Sequence, residues 1–95
     1  MSNVLSVMKV FPISPEVDRE EIVSRAQNEL RKGLNLEILK KEEEPLVFGL
    51  FAIKLFIKTA DSDEGTETLQ TFEDRLIALE EVDNCEIELQ TIIDY

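Results

Sequence analysis

The stretch that decides the fold runs from Val47 to Thr59 and reads VFGLFAIKLFIKT. Its odd-numbered positions are apolar around Gly49, whereas its even-numbered positions mix apolar residues with lysine. A period of two is typical of a strand, because successive side chains point to opposite faces of a sheet. We therefore predict a long strand whose odd-numbered side chains face a core. Phe48, Leu50 and Phe56 should then lie on the opposite face.

The segments that precede this strand predict a turn and another strand. Glu42-Glu43-Glu44-Pro45 is acidic and ends in proline, so we interpret it as a turn or loop. Before it, Leu34, Leu36 and Ile38 alternate with polar residues, which is the pattern of a half-buried strand.

Residues 3–11 are mostly apolar, and Pro12 follows them, so we predict a largely buried first strand there. Ser14-Pro15-Glu16 supplies a capping oxygen, a proline and an acid, which predicts a helix start. The helix continues through the stripe Ile22, Ala26 and Leu30, and Gly33 should end it.

The C-terminal third predicts one helix and one strand. After a polar loop at residues 61–65, Thr66 is a candidate cap for a helix. Its apolar stripe is spaced by three, four and three residues and consists of Leu69, Phe72, Leu76 and Leu79. The strand that follows alternates Cys85, Ile87, Leu89, Thr91 and Ile93 with mostly polar residues, so these five should share one face.

The element order is thus β-α-β-β-α-β over a single domain, residues 1–95. We predict the α+β class, as a ferredoxin-like sandwich: a four-stranded antiparallel sheet with both helices on one face. The other face stays uncovered and carries apolar side chains, which usually indicates a partner.

Charge and composition limit the kinds of partner and the compartment. The chain has 21 Asp and Glu against 10 Lys and Arg, a net charge of −11, so we expect no direct nucleic-acid binding and no membrane binding. An electropositive protein is the partner that this charge favours, although acidity that serves solubility alone is an open alternative. No signal peptide or membrane-spanning stretch is evident, and Cys85 is solitary, so we predict a cytoplasmic protein.

Catalytic chemistry has few candidate groups. The chain has no histidine and one cysteine, which removes the commonest general base and a structural zinc site. It also lacks a glycine-rich phosphate loop. We therefore predict no catalytic residues, no metal, no cofactor and no enzymatic activity.

Two segments carry a family resemblance. Residues 9–18, KVFPISPEVD, and residues 42–50, EEEPLVFGL, resemble matching segments of archaeal elongation factor 1-beta at the right separation. Gly65-Thr66 and Val82-Asp83-Asn84 are similar too, and the resemblance covers nearly the whole chain.

The resemblance implies an exchange factor that binds the GTPase elongation factor 1-alpha and accelerates GDP release so that GTP can load. It also implies that Phe48 contacts the GTPase. Gly49 would permit a close backbone approach or a bulge, and Pro45 and Leu46 would shape the same loop.

One position departs from the family pattern. Where eukaryotic members have a lysine near the C-terminus that reaches the Mg²⁺ and phosphate region, this chain has Ile92 at or beside the corresponding place, and no Lys or Arg follows Arg75. Distortion of the switch region could suffice for exchange, a lysine of the open face (Lys9, Lys54 or Lys58) could supply the charge, or exchange could be weak.

A second function class stays open. A ferredoxin-like regulatory or assembly module could self-associate through the open face without exchange activity. For either function we expect a monomer or a weak homo-oligomer.

Overall fold

The computed structural model describes residues 2–93 and confirms the α+β ferredoxin-like fold. A four-stranded antiparallel sheet has the order β2-β3-β1-β4, so the first and third strands are central. In chain order, the elements are β1 (Asn3–Pro12), α1 (Arg19–Arg25), β2 (Glu37–Pro45), β3 (Phe51–Ala60), α2 (Asp63–Ile77) and β4 (Val82–Ile93). A π-helical turn, Ala26–Leu30, continues α1.

Both helices pack on one face of the sheet. Phe72 and Leu76 of α2 and Ile22 of α1 join the same buried cluster as the strand residues Met8 and Leu55. The odd-numbered residues of β3 from Ile53 to Ile57 lie in this core, as the alternation predicts. Within residues 2–93, no helix lies on the other sheet face.

The first helix starts later than the sequence pattern predicts. Asp18, not Ser14, is its N-cap, and the Asp18 carboxylate accepts hydrogen bonds from the amides of Glu20 and Glu21. Ser14 lies instead in a turn, where its carbonyl accepts from the Val17 amide. A carboxylate cap satisfies the free amides and complements the positive end of the helix, so Asp18 defines the start.

The second helix starts earlier than predicted. Ser62 caps it, since its hydroxyl oxygen accepts from the Gly65 amide at 3.2 Å, and Thr66 lies inside the helix. Gly65 permits this arrangement: a Cβ at that position would lie 1.9 Å from the Ala60 carbonyl oxygen. The helix thus begins directly against the end of β3.

The acidic segment before β3 is a strand rather than a loop. Glu42, Glu43 and Glu44 pair with Lys54, Ile53 and Ala52, and the ladder continues to Pro45 opposite Phe51. Leu34 and Leu36 precede this strand and still pack against the core. The third strand begins at Phe51 and not at Val47, because the chain reverses direction between Val47 and Leu50.

The last strand does not keep its predicted alternation. Val7 pairs with Leu89 and Met8 pairs with Ile87, so Glu88 is an extra residue in β4. Such a β-bulge changes the face on which the following side chains lie. Cys85 and Ile87 therefore lie on the helix side, whereas Leu89 lies beside Val7 on the open side.

Candidate partner-binding site at the β2–β3 turn

The turn between β2 and β3 is a type I′ β-turn centred on Phe48 and Gly49. Phe48 has φ 61° and ψ 29°, and Gly49 has φ 76°. The Leu50 amide donates to the Val47 carbonyl at 3.3 Å, and the Leu46 amide donates to the Leu50 carbonyl at 2.7 Å. Both central residues of this turn type need positive φ, which matches the right-handed twist of the flanking strands.

Phe48 is an unusual residue for this turn. The first central position favours Asn, Asp or Gly, because a Cβ in the left-handed region crowds the backbone at a cost of roughly 1–2 kcal/mol. Within residues 2–93, Phe48 is the one residue other than glycine with positive φ. Its side chain is 93% exposed, and that of Val47 is 71% exposed. Strain and exposure of a large apolar side chain together make Phe48 a candidate contact residue.

The other predicted residues of this segment lie in the same turn. Gly49 provides the second positive φ, and nothing lies within 4 Å of where its Cβ would be, so it serves the turn rather than a close approach inside the molecule. Pro45 ends β2, and Leu46 begins the turn with an extended backbone. We call Val47, Phe48 and Gly49 the aromatic tip.

Lys54 lies on the open face, where four charged side chains cross the sheet. Lys9 and Lys54 are directly opposite each other on the central strands. Glu44 of β2 and Glu88 of β4 contact both lysines: Lys9 Nζ lies 2.6 Å from Glu44 Oε2 and 3.7 Å from Glu88 Oε1, and Lys54 Nζ lies 3.3 Å from Glu88 Oε2 and 4.0 Å from Glu44 Oε1. We call these four residues the open-face charge network.

The network explains how two lysines tolerate each other on neighbouring strands. Like charges directly opposite destabilise a sheet, and here a carboxylate on each side compensates. The lysine side chains are 15% and 23% exposed. Glu44 Oε2 is buried, and its approach to Lys9 is that of an ion pair rather than of a well-aligned hydrogen bond.

The pKa values of the pair follow from this contact. The short-range contact with Lys9 lowers the pKa of Glu44, and the Lys54 charge adds to that effect. The same contact with Glu44 raises the pKa of Lys9. Both groups are therefore held in their charged forms.

Phe56 lies on the open face as predicted and is partly buried. It pairs with Val7 and Lys40, and Lys40 Nζ lies 4.5 Å from the centre of its ring. The centre of the open face is thus a neutral charge network beside a partly buried aromatic ring, and among residues 2–93 the most exposed large apolar side chain is that of Phe48 at the turn.

Ile92 lies away from the aromatic tip. It pairs with Val4, which pairs with Thr59 near the end of β3, whereas the aromatic tip precedes Phe51 at the start of β3. These two ends are about 27 Å apart at ~3.4 Å per residue. Ile92 is exposed and, by its register with Val4, belongs to the helix side of the sheet. The structure therefore groups Pro45, Leu46, Phe48 and Gly49, places Lys54 nearby on the open face, and separates Ile92.

Among residues 2–93, no group of three or more Cys, Asp or Glu side chains is arranged to hold a metal ion. Over the same range, no helix combines the length and apolar character that crossing a membrane requires. Cys85 is buried, and burial, aided by the charge of Glu73, raises the pKa of its thiol to about 12.

Comparison with known proteins identifies the family. The family described as the EF-1 guanine nucleotide exchange domain matches residues 5–92, a range that includes the aromatic tip and all four members of the open-face charge network. The chain belongs to this family. Membership confirms the resemblance stated from the two sequence segments.

Archaeal members of the family are similar to this chain over most of its length. Elongation factor 1-beta of Methanothermobacter thermautotrophicus is 36% identical over 87 residues, which make up 92% of this chain and 92% of that protein. Elongation factor 1-beta of Methanospirillum hungatei is 36% identical over 93 residues, 98% of this chain and all of that protein. The protein of the same name from Methanocaldococcus jannaschii is 33% identical over 94% of this chain and 99% of its own length.

A solved structure supports the fold. The ACT domain from GTP pyrophosphokinase of Chlorobium tepidum superimposes with a TM-score of 0.59 and 16% sequence identity, covering 90% of this chain and 97% of that domain. At this identity the likeness concerns the fold alone.

Sequence reasoning missed several features of the site. It did not find that Phe48 occupies a turn, although Phe48-Gly49 is followed by a strongly alternating strand and glycine at the second position is a signal for a type I′ turn. It also missed Glu88 as a partner of Lys54, because alternation places Glu88 on the face opposite Ile87 but does not fix the register that brings this carboxylate of β4 within reach of a lysine on β3.

Proposed function

We propose that this chain is a guanine nucleotide exchange factor that binds elongation factor 1-alpha and promotes release of GDP and loading of GTP. The single observation that carries the proposal is the aromatic tip, in which a strained backbone presents Phe48 to solvent within the exchange-domain family segment. The proposal includes action by binding rather than by enzymatic catalysis, in the cytoplasm, as a monomer or weak homo-oligomer, without direct contact with nucleic acid or membrane.

Exchange by binding requires no acid, base or metal on the factor. A translational GTPase holds GDP through its phosphate loop, Mg²⁺ and switch segments. A factor that binds the conformation with weak nucleotide contacts better than the GDP-bound one shifts the population toward nucleotide release. Because the coupling is reciprocal, GDP weakens binding of the factor by the same ratio.

In this mechanism Phe48 inserts into an apolar site on the GTPase that is accessible in the nucleotide-weakened conformation. The turn holds the ring clear of the body, so insertion requires no rearrangement of the factor. Val47 enlarges the apolar contact, while Gly49, Pro45 and Leu46 fix the shape of the turn. An exposed aromatic residue of this kind is typical of a binding hot spot.

The open-face lysines do not suit the role of a free cation directed at Mg²⁺ or phosphate. Lys54 and Lys9 are each paired with Glu44 and Glu88. Lys58 Nζ lies 3.6 Å from Glu37. We therefore propose distortion of the GTPase by the aromatic tip as the route to exchange. Ile92 can contribute only if the partner spans both ends of the sheet.

The decisive experiment measures release of a fluorescent GDP analogue from the cognate elongation factor 1-alpha. We expect the chain to accelerate release in a saturable manner when unlabelled nucleotide is in excess. Release at the intrinsic rate at all factor concentrations would contradict the proposal. Size-exclusion chromatography over the same concentrations tests the alternative of a self-associating module.

A further inference from the structure

Arg19 connects the first helix to both strands of the hairpin that carries the aromatic tip. Its Nε lies 2.6 Å from Glu43 Oε1 on β2, and its guanidinium carbon lies 4.5 Å from the centre of the Phe51 ring on β3. The side chain is 25% exposed, so it is partly withdrawn from solvent. Glu43 lies two residues before Pro45, and Phe51 lies two residues after Gly49.

This connection occurs where the hairpin extends beyond the rest of the sheet. The ladder between β1 and β3 ends at Val10 and Ile53, whereas the ladder between β2 and β3 continues to Pro45 and Phe51. The last part of the hairpin is therefore a two-stranded ribbon, and such ribbons are marginal without additional packing. Arg19 supplies a contact from the helix to this ribbon.

Arginine suits this position better than lysine does. A planar guanidinium stacks on an aromatic face while its N–H groups donate to a carboxylate, and Arg19 makes both contacts at once. The backbone of Arg19 is itself fixed, because it is the first residue of α1 and directly follows the Asp18 cap.

We propose that Arg19 is a positioning residue: it holds the β2–β3 hairpin against α1 and so fixes the direction in which Phe48 points before the partner binds. The ordering of the hairpin by Arg19 is argued from the geometry of the free protein, whereas its effect on partner binding rests on the proposed exchange function. A tip that is ordered in advance loses less conformational entropy on binding. Loss of Arg19 should therefore weaken binding without altering the bound state.

The first test is made on the free protein. In Arg19→Ala, we expect the backbone heteronuclear NOE of the amides at 46–50 to fall, while values in α2 and β1 stay as in the wild type. The matched control is Arg25→Ala. Arg25 lies on the same helix and forms ion pairs of 3.1 Å with Glu21 and 3.2 Å with Glu81, neither of which belongs to the hairpin. The control should leave the amides at 46–50 unchanged.

The second test separates positioning from general destabilisation. In the GDP-release assay, Arg19→Ala should raise the factor concentration for half-maximal stimulation roughly three- to tenfold, the range of a partly exposed ion pair with a cation–π contact. The maximal rate at saturation should stay the same. Arg19→Lys, which can keep the pair with Glu43, should recover part of the loss. In a Glu43→Gln background the effect of Arg19→Ala should shrink.

Three outcomes would overturn the proposal. The NOE values at 46–50 could be unchanged in Arg19→Ala, they could fall throughout the chain, or Arg25→Ala could raise the half-maximal concentration equally. If the wild type itself does not accelerate GDP release, the exchange function fails, and the NOE comparison still decides whether Arg19 orders the hairpin.

Discussion

At the scale of single residues, Phe48 combines a conformational cost with an exposed position. A phenylalanine with φ 61° is less stable there than an asparagine would be, because Asn tolerates the left-handed region. We expect Phe48→Asn to raise the free energy of unfolding by up to about 1 kcal/mol. The gain should appear as a higher urea midpoint with an unchanged slope. Phe48→Ala keeps a Cβ at positive φ and should show no such gain; an Asn variant no more stable than the wild type would contradict the turn geometry.

Gly65, in contrast to Phe48, occupies a position where a larger side chain would clash with the backbone. It is buried, and a Cβ there would lie 1.9 Å from the Ala60 carbonyl oxygen, a backbone atom that cannot move without displacing the end of β3. We expect Gly65→Ala to destabilise the protein by roughly 1–3 kcal/mol, the usual cost of overpacking. The control is Thr66→Ala, in the same turn of α2. Gly33→Ala is unsuitable because Gly33 has positive φ, so an alanine there is strained for a different reason. Equal urea midpoints for Gly65→Ala and the wild type would show that a Cβ fits beside the Ala60 carbonyl without cost.

At the scale of elements, the open-face charge network joins all four strands. Contact with Lys9 lowers the pKa of Glu44 below its ordinary value of 4.5, so the stabilisation is complete above that value. It is lost as pH falls through the folded-state pKa. Glu44→Gln should therefore be less stable than the wild type at pH 7, and the difference should disappear in acid. Urea midpoints measured over a series of falling pH from pH 7 test this, with Glu42→Gln on the same strand as the control; a difference that keeps the same size as the pH falls would exclude the ion pair as its origin.

The helices and strands show why the sequence predicts the order and packing of the elements better than the residues at which they begin and end. Periodicity reports which residues reach the core, so Ile53, Leu55, Leu69 and Leu76 lie where the patterns place them. A helix cap depends on a few local hydrogen bonds, and each helix has two candidate residues with a suitable oxygen. The candidates are Ser14 and Asp18 for α1, and Ser62 and Thr66 for α2. Which candidate caps the helix depends on where the preceding strand ends, and tertiary packing determines that point.

The candidate site was predictable in part for similar reasons. Strand periodicity predicted exposure of Phe48 correctly but by a wrong route, because Phe48 lies in a turn and not in β3. Sequence alone does not reveal that Glu44 and Glu88 contact the same two lysines, since these contacts depend on the register of β2 and β4 against the central strands. Arg19 lies in a helical segment, and its contacts with Glu43 and Phe51 likewise exist only after the hairpin packs against α1.

At the scale of the whole molecule, the fold presents a sheet face with a self-neutralised charge network and an aromatic tip at the end of a hairpin. The net charge of −11 is carried by the remaining surface and favours an electropositive partner. The open face is partly apolar, as predicted, since Leu89 lies there and is 56% exposed, but the most exposed large apolar side chain among the described residues is that of Phe48 in the turn. We propose that a few residues of the aromatic tip make the apolar contact with the partner and that the sheet and helices hold them in place.

The most direct test of this account compares Phe48→Ala with the wild type in the GDP-release assay on elongation factor 1-alpha. Leu39→Ala, another exposed apolar residue of the hairpin but distant from its turn, is the matched control. The account predicts at least a tenfold loss of stimulation for Phe48→Ala, as expected for a hot-spot aromatic residue worth ~2 kcal/mol or more, with an unchanged urea midpoint and a near-normal Leu39→Ala. Wild-type stimulation by a folded Phe48→Ala protein would contradict it.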